Sequence, residues 1–140
     1  MPNQNLFAAL RAAFPSDLDS IAVETVEADG SSLHYSWRDL DRATAMMANL
    51  LVSLKLPAGS RIAVQVEKSV EAMVLYLATL RAGYVFLPLN TAYLSAEVGY
   101  FIGNAEPAVV VCTPKNFGWV SKIAFSAGTQ QVFTLRIIPA

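Results

Sequence analysis

Residues Leu80 to Asn90, LRAGYVFLPLN, constrain the fold of this chain more than any other stretch. Leu80-Arg81-Ala82 ends an apolar helical segment. Gly83 then stands where a helix terminus favours a left-handed residue, a conformation glycine adopts without a Cβ penalty. Tyr84 to Leu87 follows at once with the aromatic and β-branched content of a strand, and Pro88 ends it. A strand this apolar reads as buried on both faces, as in a parallel sheet covered by helices. A helix that turns directly into such a strand is a corner of an α/β fold.

The segments on either side continue the alternation. Leu6, Phe7, Leu10 and Phe14 fall at helical spacing, which predicts a short amphipathic helix over Asn5 to Phe14. Ile21 to Val26 and Ser32 to Ser36 flank the turn Ala28-Asp29-Gly30-Ser31 and read as a hairpin. Ser36 and Asp39 have the spacing of a capping box. The helix they open carries the stripe Leu40, Ala43, Met47, Leu50, Leu51 and Leu54, and Pro57-Ala58-Gly59 is expected to end it. Arg61 to Val66 alternates as a strand, with Ile62, Val64 and Val66 on one face. Ser69 is a cap for a helix to Ala82, with Glu71 favourably placed in its first turn. A helix over Ser95 to Ala105, an apolar strand over Ala108 to Cys112, a helix opened by Thr113-Pro114 and weakened by Gly118, and a strand over Gln131 to Leu135 complete the pattern. The fold class is α/β: an N-terminal hairpin, then a mostly parallel sheet with flanking helices.

Composition limits what such a chain does. Its 140 residues are 54% hydrophobic and 15% charged, against about 25% charged in an average soluble domain. Mean hydropathy is +0.42. A membrane span fails on spacing: within Val70 to Leu89 the longest run free of charge is the nine residues Ala72 to Leu80, and a span needs about 20. A doubly covered sheet, or a piece of a larger protein, accounts for the composition. The N-terminus has no basic region ahead of an apolar one, so no secretory signal is read. One cysteine, Cys112, excludes an internal disulfide framework and fits a reducing compartment. A net charge of −1 offers no basic patch for nucleic acid. The expected location is the cytoplasm.

Three segments together resemble the acyl-adenylate-forming (AMP-forming) acyl-CoA synthetases. Leu33-His34-Tyr35-Ser36-Trp37-Arg38-Asp39-Leu40 is similar to that family's first core motif, with Asp39 where Glu is usual. Pro57-Ala58-Gly59-Ser60-Arg61-Ile62-Ala63-Val64 resembles its P-G-D-R-V turn into a strand, with Ser60 replacing the acid. Leu80 to Asn90 is similar to its signature run. Gln65 to Ala78, Leu87 to Tyr93 and Tyr100 to Cys112 look like the malonyl-CoA synthetase branch.

The resemblance implies a reaction in two halves, with a small-molecule carboxylate and CoA as substrates. The carboxylate attacks the α-phosphate of ATP to give an acyl-AMP and diphosphate, and the CoA thiol then displaces AMP. The parent family uses ATP, Mg²⁺ and CoA, and its phosphate loop reads like T-S-G-T-T-G-x-P-K-G. Nothing here resembles that loop, and the seven glycines are scattered. The acidic ribose motif and the C-terminal adenylation lysine of the family are also absent. Residues 1–140 are therefore read as a single partial N-terminal subdomain of an AMP-binding enzyme, inactive alone and prone to self-association through exposed apolar surface. No catalytic residue and no metal ligand is assigned. The resemblance carries one site: Asn90, Thr91, Ala92 and Tyr93 border the CoA nucleotide, against the plainer reading of a structural loop. Ala92 brings no charge, so contact there would come through backbone or through Asn90 and Tyr93.

Other residues carry blander readings. His34 lies in a strand with no metal-ligating cluster, Cys112 is a packed thiol, and Glu67-Lys68-Ser69 is a solvated turn plus a helix cap at the strand edge where α/β folds bind ligands. Gly99 and Gly103 suggest close helix packing. The rival from another class is a non-catalytic α/β binding or interaction module. A dinucleotide-binding version of it needs G-x-G-x-x-G after a strand, which is absent.

Overall fold

Hydrogen bonding divides the strands into two sheets. The computed structural model describes residues 3–136. Helix α1 (Leu6–Ala12) leads to an antiparallel pair, β1 (Ile21–Val26) and β2 (Ser32–Ser36). Helix α2 (Trp37–Ser53) follows without a loop. Then come β3 (Arg61–Gln65), α3 (Val70–Arg81), β4 (Val85–Pro88), α4 (Ser95–Ala105), β5 (Val109–Cys112), a 3₁₀ turn (Pro114–Asn116), α5 (Phe117–Ser126) and β6 (Gln131–Thr134). Four of these strands form a parallel sheet in the order β4-β3-β5-β6.

Ser36 starts α2 as the sequence predicts. Its Oγ accepts from the Asp39 N–H at 3.0 Å, and the Asp39 carboxylate accepts from the Ser36 N–H at 2.8 Å. The bond to the Ser36 backbone holds the Asp39 carboxyl below its ordinary pKa. Its support is therefore present above the usual aspartate range and lost as pH falls through the lowered value. Ser36→Ala is expected to cost about 1 kcal/mol, read as a lower midpoint in urea. The helix ends earlier than expected: Leu54 closes it and Lys55 turns left-handed (φ 54°), ahead of Pro57.

The four-stranded sheet is covered on both faces. Ala63, Val110 and Cys112 lie under Val98 and Ile102 of α4 and Val120 and Ala124 of α5. Ile62, Val64, Val109 and Val111 lie under Leu75 of α3, with Met47 and Leu54 packed alongside. Gly99 brings the α4 backbone near α5, its Cβ position lying 4.0 Å from Ile123 Cγ2. Gly103 has no such neighbour.

Three further expectations need correction. Leu50, placed in the apolar stripe of α2, is 53% exposed, and the residues that α2 buries are Leu40, Thr44, Ala48 and Leu51. Strand β4, read as buried on both faces, runs Val85–Pro88 along the sheet edge, and Val85 is 47% exposed. An edge position accommodates Pro88, which has no N–H to give a second neighbour. Thr113-Pro114 opens a single 3₁₀ turn, and α5 begins at Phe117 with Gly118 inside it.

Helix α1 is fastened by polar contacts. Asn5 Oδ1 accepts from the Phe7 N–H at 2.8 Å while its Nδ2 donates to the Leu80 carbonyl at 2.7 Å. The Arg81 guanidinium lies 4.7 Å from the Phe7 ring centre and shares the Asp41 carboxylate with Arg11. Across α2 and α3 runs an open groove of about 450 Å³ walled by Leu40, Met46, Met47, Leu50, Val74 and Leu135. Met46 is 74% and Leu50 53% exposed. Among the described residues, no helix is long and apolar enough to cross a membrane.

Candidate functional site

Strand order decides where a site belongs. From β3 the chain crosses to β4 on one side, whereas from β5 it crosses to β6 on the other. The segments leaving the carboxyl ends of β3 and β5 therefore diverge, and ligands of open α/β sheets bind where they do. Here the divergence leaves a crevice of about 140 Å³ between Val66, Glu67 and Ser69 on one side and Thr113 and Pro114 on the other, with Leu135 and Arg136 beside them. Glu67 and Lys68 are exposed, and Ser69 Oγ accepts from the Ala72 N–H at 3.0 Å, so this stretch is a solvated turn with a helix cap. The larger groove on α2 and α3 is nearly all apolar and offers no cradle for a polar substrate.

The segment Asn90-Thr91-Ala92-Tyr93 leaves the carboxyl end of β4 as a closed turn. The Tyr93 N–H donates to the Asn90 carbonyl at 3.0 Å, and the Ala92 N–H donates to Asn90 Oδ1 at 2.9 Å. Asparagine at the first turn position favours this arrangement. The Tyr93 ring stacks on Phe101 of α4, with centres 5.2 Å apart. Asn90, Thr91 and Ala92 are exposed. The structure thus brings the four segment residues into one outward-facing turn, and Tyr93 is half-buried at its base.

Beneath that turn lies a residue to which sequence reasoning gave no role. Gln65, the last residue of β3, is 2% exposed. Its Nε2 donates to the Asn90 carbonyl at 2.9 Å and to the Tyr93 carbonyl at 3.0 Å. Its Oε1 is buried and has no donor among the described residues. Leaving a buried acceptor unpaired costs about 1–3 kcal/mol. The available signal was a single amide closing the apolar run Ile62-Ala63-Val64.

The remaining candidates behave as plain structure. Cys112 is fully buried beside Gln65 in register, and burial pushes its thiol up to about 11, so it stays protonated. His34 Nε2 lies 3.2 Å from Glu24 Oε1 across the exposed hairpin. No group of metal-ligating side chains occurs among the described residues. The left-handed glycines do not form a phosphate cradle. Gly59, Gly83 and Gly128 precede β3, β4 and β6, at the amino ends of the strands and opposite the crevice. These residues do not fit the phosphates of ATP, and no adenylation step is assigned to them.

Comparison with known proteins agrees with this architecture. An ATP-bound MatB from Rhodopseudomonas palustris superposes with a TM-score of 0.83 and 46% identity, over 96% of this chain and 25% of that one. The medium-chain fatty-acid–CoA ligase of Escherichia coli (strain K12) is 34% identical over 88 residues, 63% of this chain and 15% of the ligase. The hybrid PKS-NRPS synthetase apdA of Emericella nidulans is 29% identical over 105 residues, 75% of this chain and 2% of the synthetase. This chain thus spans a quarter or less of each of these relatives. A match to the family described as AMP-binding enzyme extends over residues 12–136, through both sheets and helices α2 to α5, with only the last residue of α1. The chain belongs to the AMP-binding enzyme family.

Proposed function

We propose that residues 1–140 form a partial N-terminal subdomain of an AMP-forming acyl-CoA ligase of the malonyl-CoA synthetase type. The observation that carries this reading is 46% identity over 96% of the chain to MatB, a malonyl-CoA synthetase. The parent reaction joins malonate or a similar carboxylate to CoA, with ATP converted to AMP and diphosphate. In it the chain supplies scaffold, and the Asn90–Tyr93 turn borders the CoA nucleotide. The phosphate loop, the bound Mg²⁺ and the adenylation lysine belong to other parts of the enzyme. The expected setting is cytoplasmic.

Two experiments test this. Incubated alone with malonate, ATP, Mg²⁺ and CoA, the chain is expected to release no AMP above a protein-free control, and release would overturn the scaffold reading. Substituting the chain for the matched 25% of R. palustris MatB should give an enzyme that makes malonyl-CoA. A folded chimera without activity would sink the ligase reading. The same exchange into the E. coli ligase should give less activity, and equal activity in both would remove the malonyl assignment.

A further inference from the structure

We infer that Gln65 is a positioning residue for the thioester-forming half of the reaction: it fixes the shape of the Asn90–Tyr93 turn that meets the nucleotide end of CoA. This rests on the reading of that turn as the CoA border.

The two N–H bonds of one amide are both used, and on the two ends of the same turn. Nε2 donates to the Asn90 carbonyl at 2.9 Å and to the Tyr93 carbonyl at 3.0 Å. The turn's own bonds, Tyr93 N–H to Asn90 O and Ala92 N–H to Asn90 Oδ1, close it from above. Gln65 straps it from below, out of solvent. An apolar side chain of the same size would fill this space and would not bury an unpartnered oxygen, as Gln65 Oε1 is buried. The amide stands here despite that cost, and what it gains is the pair of bonds to the turn.

Turn shape matters here because of what the turn presents. Thr91 and Ala92 are exposed and uncharged, and neither has the reach of a lysine or arginine. A long cation adjusts to a displaced backbone through its rotamers. A turn that contacts its ligand through backbone and short side chains depends on where the backbone is held.

The test uses the active MatB chimera with Gln65→Met, which preserves volume and removes both donors. ATP–diphosphate exchange driven by malonate, which needs no CoA, is expected to stay within about twofold, while KM for CoA rises about tenfold. Gln65→Asn, which keeps a shortened amide, should give an intermediate KM and serves if Gln65→Met fails to fold. Equal losses in exchange and in CoA KM would mark Gln65 as merely structural and overturn the inference, as would no change in either. Asn90→Ala separates the two levels of the argument. If it raises CoA KM and Gln65→Met does not, Gln65 has no positioning role. If neither raises it, the reading of the turn as a CoA border fails, and the inference fails with it.

Discussion

Ile62→Ala is expected to lower the melting temperature by about 10–20 °C, and Val85→Ala by only about 3 °C. Ile62 is fully buried in β3, with β4 on one side and β5 on the other, and packs with Val64, Leu75, Val109 and Val111. Truncating it removes transfer free energy and leaves a cavity that neighbours held by two strand ladders cannot close. The loss for a buried Ile is about 2–5 kcal/mol, a large share of the about 5–15 kcal/mol that stabilises a typical domain. Val85 occupies the sheet edge with nearly half its surface in water, so little burial is lost there. Differential scanning calorimetry of the two variants checks the contrast. Equal shifts would mean that β4 is covered in solution, against the edge assignment.

The chain is expected to self-associate through its apolar groove, and replacing Met46 and Leu50 together with lysine is expected to make it monomeric and to reduce binding of a hydrophobic dye several-fold. Both side chains stand largely in solvent on α2, at the wall of the 450 Å³ groove, so the change leaves in place Leu40, Thr44, Ala48 and Leu51, the residues that the helix buries. Contiguous apolar surface of this kind is normally covered in a soluble protein. Asp39 and Glu71 also line the groove and favour the introduced ammonium groups over glutamates at the same places. Sedimentation velocity at several concentrations gives the readout. A wild-type chain that stays monomeric at every concentration would remove the groove as a sticky surface.

The sequence was most legible where local chemistry and tertiary environment agree. Ser36 and Asp39 carry their own hydrogen bonds, so the start of α2 follows from four residues. Gly83 adopts the left-handed conformation (φ 83°) that its place after an apolar helix demanded. The reading failed where position in the sheet decides. Val85 to Pro88 is as apolar as a central strand, and only the strand order shows it at an edge. Lys55 takes a left-handed conformation usually left to glycine or asparagine, and nothing local signals that. At the candidate site, the side chain of Asn90 favours the turn that forms there, a local relation. The bonds from Gln65 join residues 25 and 28 positions apart, a relation that no local window contains.

Because β2 ends at Ser36 and α2 begins at Trp37, the hairpin passes into the helix without a loop. The hairpin shares no strand ladder with the parallel sheet. Tyr35 of β2 lines the groove beside α2 and α3, and Thr25, Val26 and Leu33 face Lys68 to Glu71 at the start of α3. A substitution in β2 therefore reaches the groove wall without touching any of the four strands of the parallel sheet.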